Sequence, residues 1–502
     1  VPDPSVFFSA LLSIDVWLYV VIGSALGVLF GSLPGFTATM GLAVLTPFTF
    51  WVTADQALAM LLGLLVAAVF SGGIPAILLN TPGTPASIAM TWDGYPLARS
   101  GRADLALGLN AIAAFVGIVC SLIVLWMAAL PLARVALSFG PAEYFAVAAF
   151  GISTMVGVSG GSLWKGLGMG VLGLLLASIG LDAISGYPRF TFGFPELLDG
   201  IGFIPVMVGL FGVAEVLVQM SGPPRSVQPA TSTGATGVLP SAAQWPTLWR
   251  PTGIGTAIGV WIGLVPAAGA DVGAILAWDQ SRRFSKTPDA FGKGSIEGVV
   301  AASTGANAGI GGALVTTLAL GIPGDSAAAV LIGALLMHGL QPGPLLFRNR
   351  PGLVATIVAL VFMAAVVTLV WGLLGARLLA GLLRIRDEFL WAVVLCISLV
   401  GSYALNQSLV DVWTAVAAGI AGYGLRRHGF PMGPLVLALI LGPMAESELR
   451  RALALSQGSL DIFVTRPIAL AFLVLALVTF VWPLVQAGRR RRPDPAAGGN
   501  ET

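Results

Sequence analysis

Apolar residues run through this chain in long blocks that are interrupted by Pro-Gly clusters and rarely by charge. A membrane-spanning helix needs about 20 mainly apolar residues. Stretches of that length lie at 105–130, 199–220, 352–376 and 465–487, and paired shorter segments fill 142–182 and 388–445. Two further regions, 16–93 and 251–345, are equally apolar but broken by Pro and Gly. A hydrophilic connector at 221–250, rich in Pro, Ser, Thr and Gly, separates them and reads as a linker.

The two broken regions look like copies of each other. Gly27-Val28, Gly31 and Pro34 recur as Gly259-Val260, Gly263 and Pro266. Gly72-Gly73 recurs as Gly311-Gly312, and Pro82-Gly83 as Pro323-Gly324. Duplicated segments broken at matching positions mark secondary transporters. The stretch 251–279, with Pro266 near its middle, gives two arms of about 14 residues, or about 20 Å each. That is short of a hydrocarbon core of about 30 Å, so a re-entrant hairpin is expected there and at 16–50. Asp55 follows the first hairpin, whereas Arg282, Arg283, Lys286 and Lys293 follow the second, which suggests inverted repeats. Arg99 with Arg102 and Arg348 with Arg350 recur after the second break in both halves and do not show this inversion.

Composition sharpens the picture. Of 502 residues 57% are hydrophobic and 10% are charged, too few charges to cover a soluble globule. The expected fold is therefore an all-α polytopic membrane protein: two inverted repeats with re-entrant hairpins and broken helices, about 10–14 membrane segments in all. A β-barrel is excluded by the strength of the apolar signal, and a net charge of +2 argues against nucleic-acid binding. Expected blocks are a first repeat with following spans (1–220), a cytoplasmic linker (221–250), a second repeat (251–385), C-terminal helices (386–488) and a basic tail (489–502). Arg489 to Arg492 place that tail in the cytoplasm by the positive-inside rule. Two cysteines inside apolar runs support neither a disulfide framework nor a cysteine metal site.

The stretches GSLPGFTATMGLAVLTPFTF (31–50), SGGIPAILLNTPGTPASIAMTWDGYPLARSGRA (71–103), LLDGIGFIPVMVGLFGVAE (197–215), RRFSKTPDAFGKGSIEGVV (282–300) and GGALVTTLALGIPGDSAAAVLIGALLMHGLQPGPLLF (311–347) resemble the large membrane subunit, TctA-type, of the tripartite tricarboxylate transporters. The resemblance runs in order over roughly 20–350. It implies import of a small citrate-like di- or tricarboxylate across the bacterial inner membrane by Na⁺ or H⁺ symport. It also implies two partners, a periplasmic solute-binding protein and a small four-helix membrane subunit. The chain departs from the family at Pro266-Ala267, where Pro-Gly is usual, and at Ala302-Ser303, where Pro-Glu is common. No phosphate-binding G-x-x-x-x-G-K-[ST] loop is present, so ATP use and cofactors other than the coupling ion are not expected.

The candidate site follows from the breaks. After Pro82-Gly83, Thr84 suits an N-cap and Pro85 the next position, so Thr84, Ser87 and the freed N–H groups of Ala86 and Ser87 form an anion site at a positive helix end. Pro323-Gly324, Asp325 and Ser326 repeat this geometry with an acidic cap. Substrate contacts are expected at Pro34, Gly35, Asn80, Pro82, Gly83, Thr84, Ser87, Pro323, Gly324 and Ser326. Asp325, Asp271 and Asn307 are the coupling-ion candidates, since acids in apolar surroundings are costly and usually functional. Asp93 is expected in a turn and Glu215 in a helix-end contact. Two other readings remain: an intramembrane serine protease using the GxSG at 157–160 with His338 or His428, and a passive channel or scaffold subunit.

Overall fold

The computed structural model describes residues 3–490 except 34, 137, 159–161, 183–184, 222–236, 267, 344–345, 347–348, 351 and 375–386. Its helices, in chain order, are α1 (Pro4–Leu12), α2 (Ile14–Ser32), α3 (Ala38–Leu45), α4 (Ala54–Ser71), α5 (Gly73–Leu79), α6 (Ile88–Leu97), α7 (Ala103–Ala136), α8 (Pro141–Val158) and α9 (Leu163–Ala177). They continue with α10 (Phe203–Met207), α11 (Ala214–Met220), α12 (Trp245–Gly263), α13 (Gly269–Phe284), α14 (Ile296–Leu320), α15 (Ser326–Met337) and α16 (Leu353–Leu374). The last are α17 (Asp387–Asn406), α18 (Leu409–Arg427), α19 (Gly433–Leu455), α20 (Ile462–Thr465) and α21 (Pro467–Arg490). A π-helical turn, Val208–Val213, joins α10 to α11. Among the described residues seven helices are long and apolar enough to cross a membrane, and four shorter apolar helices accompany them. The chain is thus an all-α polytopic membrane protein.

Two compact units emerge, Val1–Ser138 with Gly202–Gly424, and Phe139–Ile201 with Leu425–Thr502. The segment 139–201 therefore leaves the first sequence block and packs with the C-terminal helices.

In the larger unit, α2 lies on α4 and α12 lies on α14. Each pair meets along glycines four residues apart, which line one helix face. Gly23, Gly27 and Gly31 face the backbone of Met60, Leu64 and Ala68. Gly255, Gly259 and Gly263 face Ala301, Gly305 and Gly309 in the same way. A Cβ on Gly27 would stand 2.9 Å from Ala67 Cβ, and one on Gly259 would stand 2.9 Å from Ala308 Cβ. Small residues let the backbones approach, as in membrane helix pairs generally. Gly83 is walled in by Gly31 and Gly72, and Gly324 by Gly263 and Ala313. By packing, Gly72 is thus matched by Ala313, two positions beyond the Gly311 that sequence alone pairs with it.

Three expectations need correction. The connector ends at 244, because α12 starts at Trp245 with Pro246 in its first turn, where a missing N–H costs nothing. The arms of the second hairpin are consequently 19 and 16 residues, longer than the expected 14. In the first hairpin α2 alone is long enough to cross a membrane, while α3 and the following 3-10 turn are short.

In the smaller unit, α8 packs against α9, α19 and α21. A two-residue antiparallel ladder, Gly180–Leu181 with Pro188–Arg189, lies between α9 and residue 201. Bidentate Arg189–Glu446 bonds of 2.7 and 3.1 Å, Arg450–Asp182 at 2.8 Å and Arg466–Glu143 at 3.0 Å bind loops to helices there.

Candidate functional site

The first break begins where α5 stops. Asn80 takes the left-handed conformation, φ 57°, which Asn tolerates better than most residues, and so ends the helix. Gly83 N–H donates to Gly72 C=O at 3.1 Å and folds the break back on α4. Thr84 is extended, and Pro85–Ser87 forms one 3-10 turn before α6. The Ser87 hydroxyl donates to Thr84 C=O at 2.7 Å and accepts from Thr84 N–H at 3.2 Å. Ser87 N–H also bonds Thr84 C=O, at 3.0 Å, so it is not among the open donors of this end. Among the described residues the buried Thr84 Oγ1 has no hydrogen-bond partner. Of the two hydroxyls expected to meet substrate, Ser87 therefore closes the turn and Thr84 carries the uncommitted group. Asn80 and Pro82 are exposed, whereas Gly83, Thr84 and Ser87 are buried.

The second break follows α14. Gly321 is left-handed at φ 71°, Pro323 and Gly324 are buried, and Asp325 caps α15. Its Oδ1 accepts Ala328 N–H at 2.7 Å. A carboxylate thus already occupies the positive end of α15, which disfavours a second anion there. Ser326 is partly buried beside it.

The tip of the second hairpin meets the second break. Gly269, with φ +51°, opens α13 and abuts the side chain of Asp325. Asp271 is exposed in the first turn of α13, two residues after the Gly269 that abuts Asp325. Among the described residues neither carboxylate has an ion-pair partner. At the other tip Gly35, φ +89°, presents its carbonyl to Gln219 Nε2 at 3.2 Å, and the same amide donates to Glu215 at 2.9 Å. Pro34 lies outside the described residues, as does Ala267.

The packing is crosswise. The Pro85–Ser87 turn and α6 lie against α13, while α15 lies against α3, so each break rests on the hairpin of the other half. From the end of α4 through α7 to α14 runs a buried polar line. Asn110 on α7 donates to Phe70 C=O at 3.2 Å and accepts from Ser303 Oγ at 2.8 Å. Asn307 donates to Ser303 C=O at 2.9 Å, and its buried Oδ1 has no partner among the described residues. Thr84 and Asn307 each offer one buried oxygen without a partner, the kind of group an ion, water or substrate satisfies.

Sequence reasoning missed Asn110, Ser303 and Gln219. It also misplaced Asp93, which sits inside α6 and not in a turn. There its buried carboxylate accepts Trp278 Nε1 at 2.7 Å and the N–H groups of Gly292, Gly294 and Ser295 at 2.8, 3.0 and 2.8 Å. The two glycines of FGKGS, both at positive φ, were the available signal for such an anion-receiving loop. For the protease reading, Ser159 and Gly160 lie outside the described residues. His338 Nε2 is 3.1 Å from Thr49 Oγ1, and the His428 carbonyl accepts from Lys165.

The model of the tripartite tricarboxylate transporter TctA family matches residues 17–437. A protein of Agrobacterium vitis described as "Uncharacterized 52.8 kDa protein in TAR-I ttuC' 3'region" is 35% identical over 487 residues, covering 97% of this chain and 96% of its own. A second from that organism, described as "Uncharacterized protein in TAR-II ttuC' 3'region", is 32% identical over 231 residues, 46% of this chain and 96% of its own. No solved structure matches.

Proposed function

Because this chain belongs to the tripartite tricarboxylate transporter TctA family, we propose that it is the large membrane subunit importing a small citrate-like di- or tricarboxylate by Na⁺ or H⁺ symport. It works in the bacterial inner membrane with its C-terminus in the cytoplasm. A soluble periplasmic solute-binding protein delivers substrate, and a small four-helix membrane subunit completes the complex. The two halves act as inverted repeats whose breaks meet near the bilayer midplane, as in other secondary transporters.

The observation that carries this reading is the chemical inequality of the two breaks. The first has a neutral cap and a buried hydroxyl without a partner, Thr84 Oγ1, suited to a substrate carboxylate. At the second, Asp325 and Asp271 lack a basic partner among the described residues. Two like charges so placed favour a bound cation or a proton. Asn307 Oδ1 is a further oxygen for that ion.

The test is uptake of labelled carboxylates into proteoliposomes holding this chain and its small subunit, with the binding protein outside. Uptake is expected to need the binding protein and an imposed Na⁺ or proton gradient, and to need no ATP. ATP-driven uptake without a gradient overturns the reading, and sustained ionic current in its place identifies a channel.

A further inference from the structure

The smaller unit carries a feature that substrate handling within the breaks does not use. Between α9 and residue 201 the chain exposes four aromatic rings in eight residues. Tyr187, Phe190, Phe192 and Phe194 are 72, 58, 81 and 61% exposed. Large rings this open on one short segment are an interaction signal. Phe190 and Phe192 also hold φ of 51° and 49°, a region unfavourable for a bulky residue, and such strain persists where surrounding structure enforces it.

That enforcement is visible. Leu181 N–H donates to Leu198 C=O at 2.9 Å, and Asp182 N–H donates to Tyr187 C=O at 3.0 Å. Arg189, between Tyr187 and Phe190, is held by Glu446 at 2.7 Å, while the buried Asp182 is held by Arg450 at 2.8 Å. The rings thus stand on a fixed ledge, and anchors ordered before binding keep the entropy cost of association low.

The ledge also has a definite side. Within this unit Lys165, at the start of α9, bonds the His428 carbonyl just before α19, so those two ends lie together. The bond from Arg466 to Glu143 joins the start of α21 to the start of α8. The ledge follows the end of α9 and touches Glu446, in the second half of α19. It therefore belongs to the end away from Lys165, Arg426, Arg427 and the Arg489-Arg490 terminus of α21. The ledge end also carries Arg189, Arg450, Arg451 and Arg466, each paired with a carboxylate, against Lys165, Arg426, Arg427 and the sequence run Arg489 to Arg492 at the other end. With that more basic end in the cytoplasm, the ledge faces the periplasm.

We infer that residues 187–199 are the docking ledge for the soluble protein that delivers substrate, a partner offering apolar pockets rimmed by Lys or Arg. This rests on the transport reading above. Charge selects the occupant: Glu196 and Asp199 are exposed, and the one basic residue of 187–199, Arg189, is already paired with Glu446. An acidic rim repels anionic lipid headgroups. Lipid tails are excluded because irregular backbone does not lie exposed in hydrocarbon.

Two measurements on the full complex in nanodiscs and proteoliposomes test it. In a Cys120→Ala, Cys396→Ala background, Phe192→Cys is expected to react rapidly with a water-soluble maleimide and to be slowed at least about tenfold by saturating binding protein. Slow reaction without the binding protein would place the ledge in lipid and overturn the proposal. Separately, Phe190→Ser with Phe192→Ser, and Glu196→Lys with Asp199→Lys, are each expected to raise the half-saturating binding-protein concentration for uptake about tenfold or more at unchanged maximal rate. The charge pair is exposed, so it reports even where the aromatic pair fails to fold. Unchanged half-saturation in a properly inserted charge variant overturns the docking assignment while leaving transport intact. Wild-type uptake that ignores the binding protein overturns the transport reading itself, and the ledge with it.

Discussion

Gly269 and Asp325 approach so closely that a Cβ on the glycine would stand 2.5 Å from the aspartate's own Cβ. The hairpin tip of the second half therefore sets the position of the acidic cap. Gly269→Ala leaves every charge in place but displaces Asp325 and strains a positive φ. It is expected to weaken the apparent affinity for the coupling ion, as Asp325→Asn does by removing charge. A shift of about tenfold or more in the half-activating Na⁺ or proton concentration, about 1.4 kcal/mol, is the expected reading. Uptake with wild-type ion dependence in both variants refutes the ion assignment.

Thr84 and Ser87 separate by role. Thr84→Val keeps shape but deletes the hydroxyl without a partner, so apparent substrate affinity is expected to fall by the value of one charged hydrogen bond, about 1.5–3 kcal/mol. Ser87→Ala removes the bonds that close the turn, and the expected loss is about 1 kcal/mol of stability. Substrate titrations and thermal unfolding in detergent distinguish the two. Equal effects on both readouts contradict the division.

Asp93 joins the halves. Asp93→Ala strands four donors, three of them backbone N–H groups, and is expected to cost at least about 3 kcal/mol. A thermal-shift assay checks this, together with faster proteolysis after Lys286 or Lys293. Asp93→Asn retains one acceptor and is expected to fall between.

The matching glycine seams give a symmetry test. Gly27→Leu and Gly259→Leu each drive a side chain into facing backbone, so each is expected to destabilise by about 1–3 kcal/mol or more. Yields of monodisperse protein are expected to drop similarly for both. A tolerated substitution in one half alone shows that the seams are not equivalent.

Much of this was legible in the sequence, for definite reasons. Long apolar runs such as 105–130 and 352–376 became α7 and α16 because twenty such residues have few other stable states. The Pro82-Gly83 and Pro323-Gly324 breaks were readable because those residues interrupt helices locally. The start of α12 was hidden, since Pro246 and Pro251 look like breakers although the helix accommodates both. Asp93-Gly94 looked like a turn because its four donors come from elsewhere, about 200 positions away for three of them. Asn110 is a lone polar residue in an apolar helix and Ser303 a small one beside Thr304, and nothing local reveals that they meet.

The glycine seams have a mechanical corollary. Side chains between helices can reseat in new rotamers and let one helix creep along another. Backbone laid on backbone at Gly23, Gly27 and Gly31, or at Gly255, Gly259 and Gly263, offers no such lubrication. Each helix pair is then a stiff girder, and the pivots left to it are the unwound joints at 80–84 and 321–325. Those joints carry Thr84 and Asp325, so a ligand held there is expected to set how far the girders swing.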